Sequence, residues 1–392
     1  MPGHRGGEVC TVPAREELRP RAHGGGAPRL IFWELTQACN LACQHCRAEA
    51  QAVRAEDELS TAQVFQVIDD ITRAYRPAIV LTGGEPLYRP DLFEIAEYAS
   101  RKGARISLAT NATMITPESA RRIKDVGIQR VAVSIDGATP EVHDRFRGIP
   151  GAWDLAWQGI ENLKAEGIPF QLNITVAQHN KAQVPSIVRL AEDCGAAAAH
   201  LFVLVPVGCG VQIADREMLA AEEVESLLEW LYEASERTTI EVRATCAPQY
   251  HRILRQQGGA GAVARARAAA LAALGGEPGD GHGPGPGNRA AGSRGCLAGS
   301  GVCFISHAGV VQPCGYLPVA AGNVLQTPFP EIWENSPLFR ELRDPDLLGG
   351  KCGECEFRVA CGGCRARAYY AYGHVLAEEP YCAHRPGTAG GR

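Results

Sequence analysis

No apolar run in this 392-residue sequence approaches the length of a membrane span, and its first 28 residues, rich in Gly, Pro and Arg, contain no signal-peptide core. A membrane-spanning or secreted protein is therefore not expected, and the reading is a cytoplasmic one. An excess of basic charge is lacking too, since 39 Lys and Arg stand against 44 Asp and Glu, a formal net charge of -5. This argues against a nucleic-acid carrier with a generally basic surface but allows a local basic pocket. Cysteine, by contrast, is abundant at 15, in a chain that is 45% hydrophobic and long enough for one large domain plus a smaller one. A reducing compartment disfavours structural disulfides, so thiols in this number point to metal ligation or redox chemistry.

Cys39, Cys43 and Cys46 follow the apolar run Leu30 to Leu35 with the spacing CxxxCxxC. A cubane iron-sulfur cluster normally takes four cysteines, so one held by three keeps an iron open to another ligand, as a catalytic cluster requires. A zinc site missing one ligand is the plainer alternative.

From Leu30 to about Ala244, short β-branched runs alternate with longer amphipathic segments, the pattern of a parallel sheet with crossover helices. Strands are predicted at Leu30 to Leu35, Ala78 to Thr82, Arg105 to Ala109, Arg130 to Ile135, Phe170 to Val176 and His200 to Val205, with an extra candidate at Ile240 to Ala244. Helices are predicted at Thr61 to Arg73, Leu92 to Lys102, Pro117 to Val126, Trp153 to Glu166, Val184 to Asp193 and Ala221 to Glu236. Polar and Gly residues gather at the strand exits, where sites form in parallel α/β folds. The expectation is a partial (β/α)6 barrel over residues 29–256, with a doubly wound open sheet as its rival. A disordered leader (1–28), a flexible Gly/Ala/Pro-rich linker (257–295), a cysteine-rich auxiliary cluster domain (296–385) and a disordered tail (386–392) complete the expected organisation.

The tail carries eight cysteines, Cys296, Cys303, Cys314, Cys352, Cys355, Cys361, Cys364 and Cys382, enough for two complete four-cysteine sites. Two structural zinc ribbons are the alternative to iron-sulfur clusters. Cys10, Cys194, Cys209 and Cys246 have no metal spacing and read as free thiols, Cys246 standing out because it follows the last barrel strand.

The triplet, together with Gly83-Gly84-Glu85-Pro86 after the second strand, resembles the radical S-adenosylmethionine (SAM) enzymes, and the cysteine array resembles their SPASM extension. The resemblance implies a [4Fe-4S] cluster whose open iron chelates SAM, and one or two auxiliary [4Fe-4S] clusters. It places Gly83, Gly84, Glu85, Pro86, Ser134, Asp136, Arg147 and Asn173 at the SAM pocket and assigns no catalytic residue beyond the SAM cluster. It also divides the auxiliary ligands into Cys296, Cys303, Cys314 and Cys364 for one cluster and Cys352, Cys355, Cys361 and Cys382 for the other. Cys361 and Cys364 are separated by two residues where many such domains have three.

Trp33-Glu34-Leu35-Thr36, Cys46-Arg47-Ala48-Glu49-Ala50, Ala244-Thr245-Cys246-Ala247-Pro248, Cys303-Phe304-Ile305-Ser306-His307 and Gln312-Pro313-Cys314-Gly315-Tyr316-Leu317 are similar to the heme-synthesising branch of that family. This implies oxidative decarboxylation of two propionates of iron-coproporphyrin III to vinyl groups, giving heme b. A low-potential electron donor such as a flavodoxin or ferredoxin would serve it, with no nucleic acid or membrane partner. The alternatives are another tetrapyrrole modification, on a siroheme derivative or toward heme d1, a SPASM peptide maturase, or a non-catalytic iron-sulfur scaffold. The 28-residue leader is too short for the winged domain expected of a peptide maturase. Arg243, Arg252, Arg255, Arg365 and Arg367 are candidate propionate contacts, His251 a candidate axial iron ligand beside Tyr250, and His45 a residue that packs at the cluster edge.

Overall fold

The computed structural model describes residues 26–258 and 294–387. Most of the predicted leader, linker and tail lies outside the described residues. Seven strands, β1 (Leu30–Glu34), β2 (Ala78–Thr82), β3 (Arg105–Thr110), β4 (Ile128–Ser134), β5 (Phe170–Val176), β6 (Ala198–Val203) and β7 (Glu241–Thr245), lie side by side in chain order and pair in parallel throughout. A doubly wound sheet would reverse its order at a switch point, and these seven strands do not. The fold is therefore the partial barrel, with the extra candidate strand present as β7.

Strand alternation decides what faces where. Ile79, Leu81, Ile106, Leu108, Val131, Val133, Leu172 and Ile174 are buried in the main core, beneath the outer layer of helices. Those helices begin where side chains satisfy their free N–H groups. Ser60 and Gln63 form a capping box on Thr61–Ala74, and Thr116 and Ser119 form one on Pro117–Asp125. Val64, Val67, Ile68 and Ile71, at helical spacing, turn one face of the first of these onto the sheet. On the inward face the strands carry small or polar residues, among them Ala78, Ser107, Ala109, Ala132 and Ser134, which leave the interior unfilled. A closed eight-stranded barrel packs this space with branched side chains, whereas here it is a cavity of about 850 Å³.

The cysteine-rich part is not a separate sheet. β8 (Val302–Ile305) adds in parallel to the free edge of β1, and β9 (Val310–Gln312) and β10 (Gly322–Asn323) continue it antiparallel, making one ten-stranded sheet. The register pairs Cys303 with Ile31 and Phe304 with Phe32. Phe32, Val302 and Phe304 therefore line the cavity, while Cys303 and Ile305 point the other way, fully buried in the main core. Among the described residues, no helix is long and apolar enough to cross a membrane.

Candidate functional site

The loop after β1 brings Cys39, Cys43 and Cys46 together at the carboxyl end of the barrel, where all three line the cavity. Backbone N–H groups donate to the sulfurs, Leu41 to Cys39 at 3.3 Å and Ala50 to Cys46 at 3.4 Å, while Arg147 Nη1 stands 3.8 Å from Cys43 Sγ. Burial pushes the Cys39 thiol up to about 12, and the neighbouring Cys43 and Cys46 push in the same direction. Three cysteine sulfurs on one cavity wall are a soft donor set, and they fit a cluster bound at this loop.

Gly83 and Gly84 also line the cavity, and close packing explains why they are glycines. A Cβ on Gly83 would stand 2.6 Å from the Thr36 carbonyl oxygen, and one on Gly84 2.5 Å from those of Gln37 and Ala38. The Gly84 and Glu85 N–H groups donate to Thr36 and Ala38 at 2.8 Å, fastening the β2 exit to the cysteine loop. Glu85 itself is fully buried and turned away from the cavity, where its carboxylate accepts from Thr110 Oγ1 at 2.7 Å, Asn111 N at 2.8 Å and Leu87 N at 3.1 Å. Burial raises its pKa to about 7 against the pull of those donors. Pro86 opens a single helical turn behind it.

Ser134 and Asn173 line the cavity, as does Arg147. Asp136 does not. Its carboxylate lies 2.6 Å from Arg147 Nη2 and accepts the Thr175 N–H at 2.6 Å, with His45 Nε2 3.6 Å away. Burial alone would raise Asp136, but the Arg147 guanidinium overcomes it and holds the carboxyl below its usual range. Asp136 thus fixes Arg147, which in turn faces Cys43. His45 stacks on Phe146 with ring centroids 4.0 Å apart, and burial lowers its pKa to about 3, so it packs beside the cysteine loop as a neutral ring.

The structure regroups the auxiliary cysteines. Cys352, Cys355, Cys361 and Cys382 surround one small hollow, with Glu379 N donating to Cys352 Sγ at 3.3 Å, Phe357 N to Cys355 Sγ at 3.4 Å and Gly363 N to Cys361 Sγ at 3.4 Å. Gly362 and Gly363, at φ 72° and 60°, make the tight turn that a two-residue gap before Cys364 demands. Cys296, Cys314 and Cys364 form the other group, lining the large cavity, but Cys303 does not join them, because strand alternation sends it into the core. Cys246 stands in its place. It follows β7, lines the same cavity, packs with Cys314 against the cluster of buried residues that holds Cys364, and is raised by burial and then by the fields of Cys364, Cys314 and Cys296. Among the described residues it is also one of three non-glycine residues with positive φ, 57°, a strained conformation of the kind that collects at functional sites. Its only sequence signal was its position after the last strand.

Of the five arginines proposed as propionate contacts, Arg243 and Arg365 line the cavity. Arg367 is sealed against Glu379, Nε to Oε1 3.0 Å, and Arg252 is occupied by Glu225 and Gln256. Arg255 is exposed. Tyr250, packed into the main core, and His251 both line the cavity.

Residues 33–191 match the radical SAM superfamily, and residues 296–356 match SPASM, an iron-sulfur cluster-binding domain. The chain is 46% identical over 361 residues to the AdoMet-dependent heme synthase of Methanosarcina barkeri, which covers 92% of this chain and 98% of that one. It is 33% identical over 372 residues to the mycofactocin maturase of Mycobacterium ulcerans, covering 93% and 90%. Streptococcus suis SuiB bound to S-adenosylmethionine shares the fold with a TM-score of 0.69 at 13% identity, over 91% of this chain and 77% of that one.

Proposed function

This chain belongs to the radical SAM superfamily, in the branch with a SPASM extension, and on that premise we propose that it makes heme b by converting two propionates of iron-coproporphyrin III to vinyl groups. The observation that carries this reading is one cavity, walled by Phe32, Val80, Phe202 and Phe304, that opens on both the cysteine triplet and a second cysteine group. Its size and apolar lining suit a flat, largely apolar ligand.

A [4Fe-4S] cluster with SAM supplies, when bound, the 5'-deoxyadenosyl radical that takes a hydrogen atom from the propionate β-carbon. The carbon–carbon bond to the carboxylate then breaks, carbon dioxide leaves, and one electron per vinyl group must pass to an acceptor. Cys39, Cys43 and Cys46 would hold the cluster, with Arg147 positioned by Asp136 at Cys43 and Ser134 and Asn173 facing the bound SAM. Cys246, Cys296, Cys314 and Cys364 would hold the auxiliary cluster that faces the substrate, and Cys352, Cys355, Cys361 and Cys382 the more distant one. Iron suits this acceptor role, whereas zinc has no redox chemistry. The initial electron would come from a low-potential cytoplasmic flavodoxin or ferredoxin. Identity of 46% to a heme synthase against 33% to a mycofactocin maturase favours a tetrapyrrole substrate.

Anaerobic incubation of the reconstituted protein with SAM, a reductant and iron-coproporphyrin III tests the proposal. Mass spectrometry should find successive loss of two formic acid units with matching deoxyadenosine. Deoxyadenosine without any change in the porphyrin would sink it.

A further inference from the structure

At the amino-terminal end of the barrel, remote from the cysteine triplet, the cavity lining changes from apolar to basic and polar. Arg130 on β4, Gln171 on β5, His200 on β6 and Arg243 on β7 all face inward there. Arg130 Nη1 donates to Gln171 Oε1 at 3.4 Å. The Gln171 amide in turn donates to Asn173 Oδ1 and to His200 Nδ1, each at 2.9 Å. Because Nδ1 accepts, the His200 proton resides on Nε2. Among the described residues that atom is buried and has no hydrogen-bond partner, on a residue only 9% exposed. Burial, with Arg243 and Arg130 adding to it, lowers the His200 pKa to about 3, so the ring is a neutral N–H donor at working pH. A ligand acceptor here would recover the hydrogen bond that the buried N–H leaves unmade.

The charged groups of this wall are mixed: Glu241 pairs with Arg243 and is a near neighbour of Arg130, and Arg105 and Glu236 line the same cavity. A ligand carboxylate here would meet guanidinium groups as well as the His200 N–H. Distance is also informative, because the four residues from Arg130 to Ser134 span roughly 13 Å of strand, comparable with the breadth of a tetrapyrrole.

We propose that His200 Nε2 and the Arg130 guanidinium form a carboxylate site at the amino-terminal end of the barrel, which holds a propionate that the enzyme leaves unchanged. This rests on the tetrapyrrole reading above and deepens it. A macrocycle anchored at its far edge presents the opposite edge to the triplet, so the site selects which propionates react.

Heme b is the discriminating probe, because the only propionates it carries are the unreacted ones. Soret titrations of the anaerobically reconstituted enzyme should show heme b binding more tightly than its dimethyl ester by about tenfold or more, as expected for a hydrogen bond to a charged group. In the double variant His200→Leu, Arg130→Gln that preference should fall to about twofold or less, a residue expected for unanchored charge in water. Arg130→Lys alone, which keeps the charge, should retain most of it, and wild-type iron content in both variants shows that they have folded. An acid preference unchanged in the double variant overturns the site. Wild-type binding of both ligands with no preference overturns it too and leaves the tetrapyrrole reading standing, whereas failure of the wild type to bind either overturns both.

Discussion

Gly84 has no room for a side chain. A methyl group there would meet the carbonyl oxygens of Gln37 and Ala38 at 2.5 Å, and these belong to the backbone that leads into Cys39. Backbone of this kind cannot rotate aside, so Gly84→Ala should cost about 1–3 kcal/mol in unfolding free energy. Because the displaced segment carries the triplet, the variant should lose the iron of one cluster and keep the auxiliary iron, as measured by iron content and absorption after reconstitution. Full iron content at wild-type stability would contradict this. The motif was legible in the sequence, but the partners of its side chains were not. Glu85 and Asp136 read as groups facing SAM, yet each is turned inward to brace a neighbour, Glu85 the β3 exit at Thr110 and Asn111, Asp136 the guanidinium of Arg147. Spacing identifies a residue type at a strand exit, and only the packing of adjacent exits decides where the carboxylate turns.

At the scale of elements, a single register decides which cysteines face the cavity. β8 pairs with β1 so that Cys303 lies beside Ile31 on the helix-facing side. Its strand was not read from the sequence, where resemblance alone grouped Cys303 with Cys296, Cys314 and Cys364. Cys303→Val, close in volume and apolar, should therefore leave the iron content unchanged, whereas Cys246→Ser should lose or weaken one auxiliary cluster, seen in iron analysis and Mössbauer spectra. The opposite pattern would restore Cys303 as a ligand. The turn after β8 also clamps the two halves together. His307 Nδ1 lies 2.7 Å from Glu34 Oε1 at the end of β1, and Arg47, just past the triplet, holds Glu34 Oε2 at 2.8 Å. Burial by itself would lower the His307 pKa, but the hydrogen bond and charge of Glu34 raise it above 6.5. A raised histidine stabilises the fold fully below its unfolded value of about 6.5 and loses that contribution as the pH rises through its folded value. The urea midpoint should accordingly fall as the pH rises from about 6.5 through the folded value, and His307→Gln should flatten that part of the profile. An equal slope in the variant would remove His307 as the cause.

For the whole molecule, the order of the barrel was written in the alternation of β-branched runs. β2 and β5 lie where the pattern put them, and β1, β3, β4, β6 and β7 differ by one or two residues at their ends. The helix Pro140–Arg147 went unread because its sequence, PEVHDRFR, has little apolar face, although it carries Arg147. The joining of the two halves into one sheet went unread as well, since the pairing of β8 with β1 spans most of the chain and leaves no local trace. That joining is what matters for chemistry, because it seats Cys246, Cys296, Cys314 and Cys364 on the wall of the cavity that the triplet also lines. A substrate radical formed there has an electron acceptor adjoining the same space, provided both groups hold iron. The most direct test of this account is turnover with iron-coproporphyrin III deuterated at the propionate β-carbons, with 5'-deoxyadenosine analysed by mass spectrometry. The account predicts one deuterium transferred to deoxyadenosine for each vinyl group formed. Vinyl formation with unlabelled deoxyadenosine, or deuterium transfer without decarboxylation, would contradict it.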